Sequence, residues 1–180
     1  MDTIHILDKD FKVSITNEVL NEKIKAVAEV LNKDYEGKSP VMIGILNGAF
    51  MFTAELAKYL TFQPEIIFAR FSSYNGMETT GKVKELMGVT ADLVGRDVIL
   101  VEDVVDTGIT MKQVKPQIEA MGAESVKIAC MLQKPEKLQV DLTVDYCAME
   151  IENDFIVGFG LDYNGLGRQY KDIYKVIHNA

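Results

Sequence analysis

Cysteine is scarce in this chain. Cys130 and Cys147 are the only two in 180 residues. That is too few for a disulfide framework, and both fall in apolar, strand-like segments that suit buried thiols. Long apolar runs are missing too. No uninterrupted stretch approaches the roughly 20 residues that a membrane-spanning helix needs. The start, Met1-Asp2-Thr3-Ile4-His5, lacks the basic and apolar regions of a secretory signal. A cytoplasmic protein without a membrane partner is therefore expected. Positive charge is in deficit: 19 Lys and Arg against 27 Asp and Glu leave a net charge of −8. Nonspecific nucleic-acid binding depends on basic side chains neutralising phosphate, so this balance argues against a DNA or RNA partner. Histidine is confined to His5 and His178, with no spacing to acids or cysteines that suggests zinc. Neither is assigned a role. No repeat, low-complexity tract or linker interrupts the chain.

What is present fits one domain with a substantial core. Hydrophobic residues make up 48% and charged residues 26%, ordinary proportions for a globular protein. Ile4–Leu7 reads as a short edge strand. Leu20, Ile24, Val27 and Leu31 recur at helical spacing, with Thr16 or Asn17 as the cap. Strands are expected at Val41–Leu46, Glu65–Phe71, Val98–Val101, Val126–Leu132, Leu142–Tyr146 and Phe155–Phe159, and helices at Phe50–Leu60 and Thr110–Met121. Ser72–Gly81 is polar and contains Asn75-Gly76, which suits a loop or hairpin returning through Lys82–Met87. Gly122 stands where a helix C′ glycine would. Pro116, inside the second of those helices, has no explanation in the sequence. Strands alternating with helices imply βαβ units and a mainly parallel sheet.

The most informative run is Val98-Ile99-Leu100-Val101-Glu102-Asp103-Val104-Val105-Asp106-Thr107-Gly108-Ile109-Thr110. Four consecutive apolar residues suit a central parallel strand buried on both faces. Acids follow at its carboxyl end, the edge where open α/β sheets bind ligands. Carboxylates there can hold sugar hydroxyls or a hard metal ion. The Thr-Gly turn can hold a phosphate on backbone amides at a helix start. Read alone, Glu102 and Asp103 fit two solvated acids equally well, and Asp106 fits a turn or helix cap.

Glu102-Asp103-Val104-Val105-Asp106-Thr107-Gly108-Ile109-Thr110 resembles the phosphoribosyl-pyrophosphate (PRPP) signature of type I phosphoribosyltransferases, in the form found in their 6-oxopurine branch. Ile43-Gly44-Ile45-Leu46-Asn47-Gly48-Ala49-Phe50-Met51-Phe52 resembles the family's pyrophosphate loop and following helix. Asp154-Phe155-Ile156-Val157-Gly158-Phe159-Gly160-Leu161-Asp162-Tyr163-Asn164 resembles its purine-binding end. The three motifs span nearly the whole chain in the family's order. The resemblance implies an α/β fold: a mainly parallel twisted sheet flanked by helices, with a small hood built from about residues 1–15 and 135–180.

It also implies roles. Glu102 and Asp103 would contact the ribose hydroxyls, directly or through Mg²⁺ and water. Asp106 would exchange a proton with purine N7 as N9 attacks. Asp106, Thr107, Gly108, Ile109 and Thr110 would bind the 5′-phosphate. Leu46, Asn47 and Gly48 would meet pyrophosphate through backbone amides, and Arg168 through its fork of donors. Similar enzymes often carry Lys or Arg where this chain has Asn47, which leaves a backbone role there. They also often have a cis peptide at that point. Ser73 and Tyr74 resemble the Ser-Tyr of a closing loop that excludes water. Lys134 would donate to the purine 6-oxo group, Phe155 would stack on the ring, and the Ile156 backbone would read the base edge. Asp162 would hold a second Mg²⁺. One departure is Asp145–Glu152, where similar proteins commonly have a Gly and a Pro.

The expected activity is Mg²⁺-dependent transfer of phosphoribose from PRPP to hypoxanthine or guanine. It gives IMP or GMP plus pyrophosphate, in purine salvage, and the family commonly assembles as homodimers or homotetramers. A nucleotide-sensing regulator on the same fold would need a basic face, and this acidic chain has no Lys/Arg stripe. An α/β enzyme of different chemistry would not need Lys134, Phe155 and Asp162 together.

Overall fold

The computed structural model describes residues 3–73 and 83–177. Strands β1 (Thr3–Ile6) and β2 (Lys9–Ile15) form an antiparallel hairpin. The sequence reading did not mark β2, although Phe11, Val13 and Ile15 alternate there with the exposed Lys12 and Ser14. Helix α1 (Asn17–Asp34) follows, with the Thr16 hydroxyl accepting from the Val19 amide at its start. Leu20, Ile24, Val27, Ala28 and Leu31 form its buried stripe. Each buried Leu or Ile there contributes about 1.5–3 kcal/mol over exposure, so packing rather than propensity fixes this helix.

Strand β3 (Val41–Ile45) is buried at every position and leads into α2 (Phe50–Ala57). That helix stops three residues short of the expected Leu60, in turn-like bonds from Lys58 and Tyr59 to Glu55 and Leu56. Strand β4 (Glu65–Ser73) is partnered by β5 (Val83–Met87) in antiparallel fashion. Strand β6 (Asp97–Val105) runs at the sheet centre and feeds α3 (Ile109–Ala120). Pro116 lies inside α3, yet the helix continues through it. Both Pro116 and Lys112, whose carbonyl loses its amide partner, are on the exposed face. Water can replace that bond, so the disruption expected of an interior proline is reduced.

Strand β7 (Ser125–Gln133) is followed by a single tight turn, Pro135–Lys137, and then β8 (Tyr146–Glu150). The strand expected at Leu142–Tyr146 is displaced to β8. Residues 138–144 form no strand, and their apolar members Leu138, Leu142 and Val144 instead pack over the α3 side of the sheet. Strands β9 (Ile156–Val157) and β10 (Ile173–Val176) complete the chain. The expected Phe155–Phe159 strand is cut to two residues because Gly158 and Phe159 turn to positive φ. The pattern also failed to mark β10.

The larger sheet has the order β5-β4-β3-β6-β7-β8, and its five strands from β4 to β8 in space are parallel. One buried cluster packs α1 and α2 on one face; the other packs α3 on the opposite face. A smaller antiparallel sheet, β1-β2-β10-β9, joins the N- and C-terminal segments around Phe11, Val157 and Tyr174. This is the hood the resemblance implies, with one difference. Residues 146–150 belong to the large sheet as its edge strand.

Candidate active site

Parallel register places the carboxyl ends of β3 and β6 side by side. The loops leaving them bound a cavity of about 290 Å³. Leu46 and Gly48 line it from the end of β3, and Glu102, Asp103 and Asp106 from β6. Thr107, Gly108 and Thr110 line it from the turn into α3, and Asp162 and Arg168 from the C-terminal segment. These residues lie more than a hundred positions apart at the extremes, and the two sheets bring them together. The Leu46–Asn47 peptide is cis.

The two neighbouring acids face different surroundings. Glu102 is 9% exposed and lies on the α3 side of the strand. Burial pushes its carboxyl well above the usual glutamate range, and the adjacent Asp103 charge adds to the rise. Asp103 turns the other way, toward the β3 loop. Its Oδ1 accepts from the Val104 amide at 2.7 Å. Its Oδ2 lies so close to Gly48 that a Cβ there would sit 1.5 Å from it. Gly48 therefore admits the carboxylate by having no side chain.

The turn after β6 depends on Gly108, whose φ of 77° favours glycine. It opens α3 without a side-chain cap, and the Thr107 hydroxyl accepts from the Ile109 amide at 3.4 Å. Asp106 lines the cavity beside this turn, and its Oδ2 accepts from Lys137 Nζ at 2.7 Å. Its Oδ1 is buried without a partner among the described residues. Lys137 was not marked by the sequence. Its position three residues after Lys134, in the tight turn following β7, was the only available signal.

Arg168 ties the C-terminal segment together. It contacts Asp162 Oδ1 at 2.6 Å and donates to the Gly160 carbonyl at 2.6 Å. Asp162 Oδ2 accepts from the Gly165 amide at 2.6 Å. Gly160 approaches the β3 loop so closely that a Cβ would lie 2.1 Å from the Gly48 carbonyl oxygen.

Among the described residues, Asn47, Ile109, Lys134, Phe155 and Ile156 do not line this cavity. Asn47 and Ile109 are exposed. Lys134 is 6% exposed, and its ammonium donates to the Asp154 carbonyl at 2.8 Å. Burial lowers its pKa, while the Asp106 charge acts against that shift. Ile156 is buried in β9. Phe155 is 44% exposed, with ring centroids 5.5 Å from Tyr163 and 6.1 Å from Phe11. Ser73 ends β4, and Tyr74 lies outside the described residues, as does His178. Sequence reasoning also missed the apolar lining supplied by Phe71 and Met111.

Among the described residues, no group of three or more acids, histidines or cysteines is arranged to hold a metal ion by itself. Glu102, Asp103 and Asp162 nevertheless give hard oxygen donors around one cavity. One or two carboxylates, with substrate oxygens and water, is how Mg²⁺ is commonly bound. The donor set fits that mode.

Residues 15–164 match the phosphoribosyl transferase domain family. A hypoxanthine-guanine phosphoribosyltransferase of Lactococcus lactis is 45% identical over 159 residues, 87% of this chain and 86% of that protein. The enzyme of the same name from Streptococcus agalactiae is 43% identical over 160 residues, 88% of this chain and 89% of its own length. A crystal structure of a Bacillus anthracis hypoxanthine-guanine phosphoribosyltransferase, with HEPES in its active site, superposes with a TM-score of 0.88. It is 37% identical, covering 92% of this chain and 98% of that one.

Proposed function

The chain belongs to the phosphoribosyltransferase family, in its hypoxanthine-guanine branch, and from that membership we propose a Mg²⁺-dependent transfer of phosphoribose from PRPP to N9 of hypoxanthine or guanine. The protein is a transferase of purine salvage. The products are IMP or GMP and pyrophosphate. The observation that carries the reading is the junction at the end of β6, where the buried Glu102, the partly exposed Asp103 and Asp106 and an amide-lined turn open into one cavity.

In such a transfer the bond to pyrophosphate weakens as positive charge builds on the ribose ring. Catalysis then requires a held ribose, a neutralised leaving group and a correctly presented base. Glu102 and Asp103 hold the ribose hydroxyls. The turn from Asp106 to Thr110 takes the 5′-phosphate on backbone amides and the threonine hydroxyls. Asp106 accepts the proton at purine N7 as N9 attacks. Leu46, Asn47 and Gly48 present backbone amides to pyrophosphate, and Arg168 meets its charge. Lys134 donates to the 6-oxo group, which disfavours the amino group of adenine. The exposed face of Phe155 stacks on the base, and the Ile156 backbone reads its edge. Ser73 and Tyr74 are assigned the water-excluding role that the family resemblance implies. Glu102, Asp103 and Asp162 would hold Mg²⁺, which supplies charge neutralisation for the pyrophosphate oxygens.

We place the enzyme in the cytoplasm as a homodimer or homotetramer, which light scattering tests. The activity test is turnover of PRPP with hypoxanthine, guanine and adenine in the presence of Mg²⁺. Turnover of the two oxopurines is expected; adenine alone as a substrate overturns the branch-specific reading. Asp106→Asn should lower kcat with little loss of PRPP binding. Unchanged turnover removes Asp106 from its role.

A further inference from the structure

The two cysteines lie directly opposite one another. Cys130 of β7 and Cys147 of β8 are register partners in adjacent parallel strands, and both belong to the cluster on the α3 side of the sheet. Partners at one register point to the same face. On the other side of Cys130 its register partner is Glu102 of β6. A straight row, Glu102–Cys130–Cys147, therefore crosses three strands on the α3 face. It runs from a cavity-lining acid to the edge of the sheet. Cys130 is fully buried, whereas Cys147 is only half-buried, on the strand that ends the sheet among the described residues. The expectation of two buried thiols thus holds for Cys130 alone. The activity described above uses neither sulfur.

We propose that Cys130 and Cys147 are a thiol pair that a hydroperoxide converts to an intramolecular disulfide, linking β7 to β8 beside Glu102. The half-buried Cys147 thiolate attacks the peroxide oxygen, forming a sulfenic acid and releasing the alcohol, or water from hydrogen peroxide. The Cys130 sulfur then attacks the Cys147 sulfur. The S–O bond breaks, and hydroxide leaves with the Cys130 proton as water. Two thiols are oxidised by two electrons, and one peroxide is reduced by two. Neighbouring strands stand about 4.7–4.9 Å apart, inside the Cα separation of about 4.4–6.8 Å that a disulfide spans. Among the described residues β8 is the edge strand, hydrogen-bonded in the sheet to β7 alone, so the small approach required falls on the less constrained of the two strands. A bond closed across a fixed ladder is of the labile, readily reduced kind. Its consequence for catalysis runs through Cys130 to Glu102 and rests on the ribose-binding role given to that acid.

The test treats the whole protein with hydrogen peroxide, then blocks free thiols and digests with trypsin. Lys127 and Lys137 separate the cysteines into different peptides. The expected result is one linked pair of peptides, lighter by two hydrogens than the reduced pair and restored by dithiothreitol. PRPP turnover should fall on oxidation and return on reduction. Cys147→Ser should keep its activity through the same peroxide treatment. Both thiols remaining free, a disulfide between two chains, or over-oxidation of Cys147 without a link each overturns the proposal. If the link forms while turnover is unchanged, the modification site stands and the coupling to Glu102 is refuted. If the untreated protein does not use PRPP, the functional reading fails separately, since the linked peptides are detected without any activity.

Discussion

Lys137 Nζ donates to Asp106 Oδ2 at 2.7 Å, joining the tight turn after β7 to the acid at the end of β6. Both side chains are about a third exposed, at 37% and 36%. The other Asp106 oxygen is buried without a partner among the described residues. Lys137 is thus the cation that meets this carboxylate, while Lys134, nearby in sequence, spends its ammonium on the Asp154 carbonyl.

Replacing Lys137 with Met should therefore lower kcat for the oxopurines more than it raises the KM for PRPP. A partly exposed ion pair is worth about 1 kcal/mol or less, so a fall of about fivefold at most is expected. Lys137→Arg should recover most of it. In an Asp106→Asn background the Lys137 change should add nothing, because the partner charge is already gone. Steady-state kinetics on the four proteins decide this, and additive losses would separate Lys137 from Asp106.

Gly48 and Gly160 both lack room for a methyl group, but against different obstacles. A Cβ on Gly48 meets the Asp103 carboxylate; one on Gly160 meets the Gly48 carbonyl, which is backbone. Gly160 also has a φ of 98°. Gly48→Ala should displace Asp103 and raise the KM for PRPP with a small change in Tm. Gly160→Ala should strain the backbone by about 1–3 kcal/mol, or about 2–4 °C in Tm for each kcal/mol in a chain of this size. Thermal melts alongside PRPP kinetics distinguish the two, and equal Tm losses would contradict the distinction.

Much of this site was legible because its chemistry is local in sequence. The acids and the phosphate turn lie within nine residues from Glu102 to Thr110, and the fully buried β3 and the buried Val98–Val101 run of β6 announced themselves as apolar runs. The helical stripe of α1 and its Thr16 cap were equally plain. What escaped was set by tertiary context. Only Phe11 of strand β2 is fully buried, and β10 is a four-residue strand whose place between β2 and β9 is set by the fold. Lys137 gains meaning only because the turn after β7 folds back onto β6. The apolar run near Leu142 was misplaced because apolar residues there cover α3 rather than pair in the sheet.

Lys134 offers a test of base selection. Its ammonium is buried and held by the Asp154 carbonyl, the residue before Phe155. Lys134→Gln should narrow the preference for hypoxanthine over adenine. A hydrogen bond to a charged group is worth about 1.5–3 kcal/mol, which corresponds to roughly a 10- to 150-fold change in the ratio of kcat/KM values. Unchanged discrimination would move the 6-oxo contact to another group.

The buried Glu102 makes stability depend on pH in a definite direction. Burial, with help from Asp103, holds its folded-state carboxyl well above the ordinary value of 4.5. In the unfolded chain it titrates near that ordinary value. Folding therefore favours the protonated form. The contribution of this group is fully present below pH 4.5 and is lost as pH rises through the folded-state value. Glu102→Gln carries no charge to bury, so it should match the parent protein in Tm at low pH and exceed it near neutrality, without ligands. The same change should weaken PRPP turnover, because the ribose loses a carboxylate. Calorimetric melts across pH 4 to 8 measure the first effect, and kinetics the second. A Tm difference that stays constant with pH would mean that Glu102 folds with its charge intact, and the site would then have one more permanent anion facing the ribose.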